Sequence, residues 1–82
     1  MTEKRVVTGE SIYLKKIGER LKHFRKEAGY ANSETFAYEK NISRAQYGKY
    51  EAGANIQLNT LIKILKAMNV SLAEFFDDFK EV

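Results

Sequence analysis

Four residues suited to left-handed backbone, Gly29, Asn41, Gly53 and Asn69, cut this chain into segments whose apolar residues recur at helical spacing. Glycine takes a positive φ without steric cost and asparagine is the best non-glycine residue there, so each position is a helix stop. The chain has no proline, internal repeat or low-complexity stretch, and therefore no linker divides it. The pattern predicts an all-α domain of five helices.

From Tyr13 onward, Leu14, Ile17, Leu21, Phe24 and Ala28 share one helical face, with Lys15, Lys16, Glu19, Lys22 and Lys26 on the others. That is an amphipathic helix closing at Gly29. Asn32 caps a second helix, with Glu34 in the first turn, where the helix dipole favours an acid. Phe36, Ala37 and Lys40 share one side of it before Asn41 turns the chain. Ser43 caps a third helix, Arg44 to Glu51. After the short connection Asn55 to Gln57, a fourth stripe runs through Leu58, Leu61, Ile62, Leu65 and Met68. Ser71 and Glu74 have capping-box spacing for a fifth helix with Leu72, Phe75, Phe76 and Phe79 on one face. Leu72 with Phe75 or Phe76 is expected to close the core, and Phe79 to face either that core or a second subunit. Residues 1–10 lack periodicity and are expected to form a flexible arm or a weakly packed extension ahead of a domain spanning 11–82.

Composition narrows the function classes. At 82 residues there is room for one core, and no apolar run approaches the length, about 20 residues, that spans a bilayer. The opening MTEKRVVTGE has no apolar stretch of the secretory type, so a cytoplasmic protein is expected. Without cysteine there is no disulfide, thiolate nucleophile or cysteine-bound metal, and packing alone must hold the fold. Residues 1–29 hold eight Lys/Arg against four Asp/Glu, whereas residues 71–82 hold one against four. Basic charge thus gathers where phosphates could be met, and the C-terminal end is acidic. The single histidine, His23, has no partner pattern, and the adjacent Asp77 and Asp78 lack the alternating spacing of a calcium loop. No enzyme, metal, cofactor or small-molecule ligand is expected.

The motifs IGERLKHFRKEAG (Ile17 to Gly29), FAYEKNISRAQYGKYEAG (Phe36 to Gly53) and LNTLIKILKAMNVSLAEFF (Leu58 to Phe76) resemble the helix-turn-helix DNA-binding domains of the phage Cro and repressor type, the Xre family. The resemblance covers most of the chain and implies a lambda-repressor-like arrangement of the five helices. Position by position, it makes Ala37 the small residue where two helices meet, Ile42 the apolar plug of the turn, and Tyr47 and Tyr50 the inward face of the third helix. Arg44, Ala45, Gln46 and Lys49 then form the base-reading face. Arg44 and Lys49 suit guanine N7 and O6, Gln46 suits adenine N6 and N7, and the Ala45 methyl suits that of thymine. Asn32 and Ser33 at the start of the second helix, Ser43 at the start of the third, and Gly53 and Asn55 after it are the implied phosphate contacts. Arg25 and Glu51 match a partly buried ion pair between the first and third helices.

Three departures from the family pattern stand out. Ser33 replaces a glutamine that usually grips a phosphate, and the loop from Gly29 to Asn32 is one residue longer. Gly48 lies inside the third helix, at a cost of about 0.8–1 kcal/mol relative to alanine. The resemblance implies sequence-specific binding of double-stranded DNA by a homodimer acting as a repressor-like transcriptional regulator. The alternative is a protein-interaction module, such as an antitoxin or adaptor, with DNA binding weak or secondary; steep weakening by salt marks the former.

Overall fold

A computed structural model describes the backbone of residues 2–79 and the side chains of residues 10–79. Its helices are α1 Thr2–Glu27, α2 Ser33–Glu39, α3 Arg44–Glu51, α4 Leu58–Met68 and α5 Leu72–Phe75, with no strand among the described residues. Each of the four stops takes positive φ: +97° at Gly29, +60° at Asn41, +106° at Gly53 and +60° at Asn69. Helices as short as α2, α3 and α5 are not stable alone, so caps and packing must hold them. The Asn32 side chain accepts the Thr35 N–H at 2.8 Å and the Ser43 hydroxyl accepts that of Gln46 at 3.4 Å. Ser71 and Glu74 cap each other reciprocally, each side chain accepting the other's backbone N–H.

The core draws on every helix: Leu21 of α1, Phe36 and Ala37 of α2, Tyr47 of α3, Leu61, Ile64, Leu65 and Met68 of α4, and Phe75 of α5. Phe36 lies among aromatics, edge-on to Tyr30 at 5.3 Å between centroids and 5.0 Å from Tyr47. At roughly 1.5–3 kcal/mol for each fully buried large side chain, this cluster supplies the main driving force for folding. The tightest approach is between α1 and α3. Gly18 is buried there, and a Cβ on it would stand 2.5 Å from the Glu51 carbonyl oxygen and 2.7 Å from that of Tyr50. Backbone cannot yield as a side-chain tip can, so only glycine fits.

Three features differ from the expectations above. The backbone of α1 begins at Thr2 and runs without interruption through the segment expected as an arm. Extending an existing helix is far easier than nucleating one, which is why a stretch lacking amphipathic period still joins it. The side chains of residues 1–9 lie outside the described residues. In α4 the buried face is Leu61, Ile64, Leu65 and Met68, while Leu58 is 64% exposed. Leu58 opens the helix one turn short of the core, and Ile64 completes the inward stripe in its place.

The third difference is at the C-terminal end. Helix α5 stops at Phe75, and the chain turns through Asp78 at φ +58°. Phe79 folds back against α1, stacked on Tyr13 at 6.2 Å and edge-on to Phe76 at 5.2 Å. Phe79 is thereby half-buried, Phe75 fills the core, and Leu72 and Phe76 stay exposed. Arg20 of α1 explains the early stop. It donates from Nε to the Phe75 carbonyl at 2.7 Å and from Nη2 to those of Glu74 at 2.9 Å and Asp77 at 3.2 Å. The guanidinium thereby takes up carbonyls at the end of α5 and in the turn after it, where helical donors run out.

Candidate nucleic-acid interface

Between α2 and α3 the chain reverses in four residues. Left-handed Asn41 donates its N–H to the Tyr38 carbonyl at 3.2 Å, and Ile42 donates to that of Ala37 at 2.8 Å. Ile42 packs against the core from the turn, and Ala37 is fully buried. A larger residue at 37 would push the two helices apart.

From α3, Tyr47 points inward and is completely buried, with Tyr50 half-buried one turn later. Arg25 fixes the end of the helix. Its Nε donates to Glu51 Oε2 at 2.8 Å, its Nη2 to Glu51 Oε1 at 3.1 Å, and its Nη1 to the Tyr30 carbonyl at 2.8 Å. One guanidinium thus joins α1, the α1–α2 loop and α3 in a planar, two-pronged grip that a lysine could not reproduce. Arg25 is only 3% exposed, and its hydrogen bonds to Glu51 hold its ionisation above the ordinary arginine value against the opposing effect of burial. The buried Tyr47 hydroxyl finds no hydrogen-bond partner. Burial first, and then Glu51, push its ionisation well above the ordinary tyrosine range, with Arg25 acting in the opposite direction.

With its inner face committed, α3 presents Arg44, Ala45, Gln46 and Lys49 outward, all four exposed. Gly48 lies between them with nothing within 4 Å of where its Cβ would be. The absent side chain therefore serves no internal packing and leaves the outer face open. Arg44 extends from the start of α3 so that its guanidinium carbon lies 5.9 Å from the centre of the Tyr38 ring.

The flanking residues are less uniform. Asn32 is exposed, but its side-chain oxygen is occupied as a cap; Ser33 is half-buried; Ser43 is exposed with its hydroxyl turned to Gln46. Gly53 lies against α1, where an added Cβ would meet Lys15 Cγ at 3.1 Å. Asn55 is exposed and borders a recess of about 510 Å³ with Glu10, Tyr13 and Leu14. Lys15 and Glu10 stand beside this loop across some 40 residues, a proximity that leaves no periodic trace in the sequence. The signal for Tyr38 beside Arg44 is no more than an aromatic on the polar side of α2. The ring neighbours of Phe79 are Tyr13 of α1 and Phe76 at the end of α5.

Among the described residues, no group of three or more His, Asp or Glu could hold a metal, and no helix is long and apolar enough to cross a membrane. A family model described as helix-turn-helix matches residues 21–75. Control protein C.MunI from Mycoplasma sp is 33% identical over 67 residues, which is 80% of this chain and 90% of that protein. No solved structure matches.

Proposed function

The chain belongs to the helix-turn-helix family of the Cro and repressor type and is a DNA-binding transcriptional regulator; from that premise we propose that α3 enters the major groove and reads bases through Arg44, Ala45, Gln46 and Lys49. The observation that supports this most directly is the division of α3. Tyr47 is buried completely, while all four proposed readers are exposed on a helix whose orientation is pinned by Arg25 and Glu51. Hydrogen-bond donors at 44 and 49, an amide at 46 and a methyl at 45 match the groups that base pairs display in that groove.

Backbone N–H groups near Asn32, Ser33 and Ser43, and in the loop carrying Gly53 and Asn55, would set the register by meeting phosphates. The acceptor role of the Asn32 and Ser43 side chains leaves these contacts to the backbone. A single small domain makes few contacts, so we infer that a homodimer sets two α3 helices in successive major grooves, about 34 Å apart, on a near-palindromic site in the cytoplasm. The exposed Leu72 and Phe76, beside half-buried Phe79, supply apolar surface for such an interface. That the relative is named a control protein supports a regulatory role.

The test is selection of bound sequences from a random duplex library with the wild type and with Arg44→Ala plus Lys49→Ala. A near-palindromic sequence should emerge for the wild type and blur for the variant. Unchanged enrichment by the variant would remove the residue assignment. A monomer in sedimentation at micromolar concentration, with DNA as without it, would remove the dimer.

A further inference from the structure

Tyr38 is 73% exposed and contributes nothing to the core, although its neighbours Phe36 and Ala37 on the same helix are buried completely. Its ring is instead turned toward the next helix, where it carries the Arg44 guanidinium. The two meet because the turn makes them meet. Asn41 at positive φ and the hydrogen bond from Ile42 to Ala37 fix how α3 leaves α2, bringing the last turn of α2 beside the first residue of α3. Glu34, Thr35, Tyr38 and Arg44 border a shallow recess of about 280 Å³ between them, so the ring stands at the edge of the proposed reading surface.

We propose that Tyr38 is a positioning residue for base recognition, its ring holding the Arg44 guanidinium in the extended pose that presents its donor fork to a base edge. The inference rests on the reading of Arg44 as a base contact. An arginine at an exposed helix start samples many rotamers, and each rotamer lost on binding weakens the complex. A flat aromatic face restricts that sampling in advance, because the guanidinium is attracted to its negative face. Tyr38 then influences specificity at the base pair read by Arg44 without touching that base pair.

The test compares the full chain with Tyr38→Leu, Tyr38→Phe, Arg44→Ala and the double variant Tyr38→Leu with Arg44→Ala, each by selection from a random duplex library and by affinity as a function of salt. Because Tyr38 is exposed, the variants should retain wild-type helicity, which circular dichroism checks. Arg44→Ala should erase the preference at one position of each half-site. Tyr38→Leu should weaken the preference at that same position by about two- to five-fold, the factor that a surface cation–π contact is worth. Tyr38→Phe should keep it, and the double variant should lose no more there than Arg44→Ala alone. If Tyr38→Leu leaves that position at wild-type preference, the proposal falls. It also falls if Tyr38→Leu and Tyr38→Phe both lower affinity uniformly across sequences, since Tyr38 would then be a phosphate ligand through its hydroxyl. Should Arg44→Ala itself change no position, the base-reading assignment fails first and this inference with it.

Discussion

Two arginines five residues apart on α1 hold opposite partners by different means. Arg25 is nearly sealed from solvent and grips the Glu51 carboxylate at the end of α3, together with the Tyr30 carbonyl. Arg20 is half-exposed, lies over the Phe24 ring at 5.1 Å and collects three backbone carbonyls from the C-terminal turn. Where a charge is desolvated against another charge, removing one leaves the other stranded; where a charge meets dipoles near water, solvent can take its place. The recognition helix is therefore held in an all-or-none way and the C-terminal turn in a forgiving one.

Arg25→Ala should have the largest effect. Stranding the Glu51 carboxylate, itself mostly buried, costs about 3–5 kcal/mol. A domain of this size has a total stability of roughly 0.05–0.15 kcal/mol per residue, so the variant should lose a large share of it and its urea midpoint at 25 °C should fall far below that of the wild type. Replacing both partners, Arg25→Met with Glu51→Leu, removes the charge pair without stranding either member and should restore a cooperative transition near the wild-type midpoint. If the pair serves orientation, that double variant will fold and yet bind DNA more weakly. A wild-type midpoint for Arg25→Ala would erase the contrast between the two arginines.

Arg20→Ala should cost about 1–2 kcal/mol, the range of a charged hydrogen bond discounted for exposure, because water can reach the freed carbonyls. Its effect should be local. Amide exchange at Phe76 and Phe79, which donate to Leu72 and Phe76, should quicken, while the sequence selected from a duplex library stays the same. Lost sequence preference in this variant would mean that the C-terminal turn and α3 are coupled.

What could be foreseen from the residues divides along the same lines. The stops at Gly29, Asn41, Gly53 and Asn69, the caps at Asn32, Ser43 and Ser71, and the bounds of the third helix each depend on a few adjacent residues, so local chemistry determines them. The exposed face of α3 is the one the family resemblance implies, with Tyr47 and Tyr50 turned inward. Arg20 meets its carbonyls across more than 50 residues, and Gly18 meets α3 across more than 30. Neither contact leaves a mark on local spacing. In α4, Leu58 and Ile64 both satisfied a helical stripe, and only the neighbouring helices decide that the isoleucine goes inside. Tyr38 was unreadable for a related reason: its partner Arg44 lies across a turn whose geometry the sequence specifies only qualitatively.

Tyr47 offers the smallest effect and the finest test of how dry the Arg25–Glu51 region is. Its buried hydroxyl makes no hydrogen bond of ordinary geometry but lies beside Glu51 and Arg25, so Tyr47→Phe should change stability near neutral pH by no more than about 1 kcal/mol. Above pH 10 the two proteins should part. An unfolded tyrosine ionises near pH 10, while burial raises the value for Tyr47 in the folded chain. The folded state then keeps a proton that the unfolded state releases, so unfolding becomes easier as pH rises. Below pH 10 both states keep the proton and this contribution is unchanged. Phenylalanine has no proton to lose. Urea midpoints measured at about pH 8 and about pH 11 should therefore fall further for the wild type than for Tyr47→Phe, over and above any loss common to both. Parallel falls in the two proteins would mean that the phenol ionises as easily when folded as when unfolded, and that water reaches the ion pair holding the recognition helix.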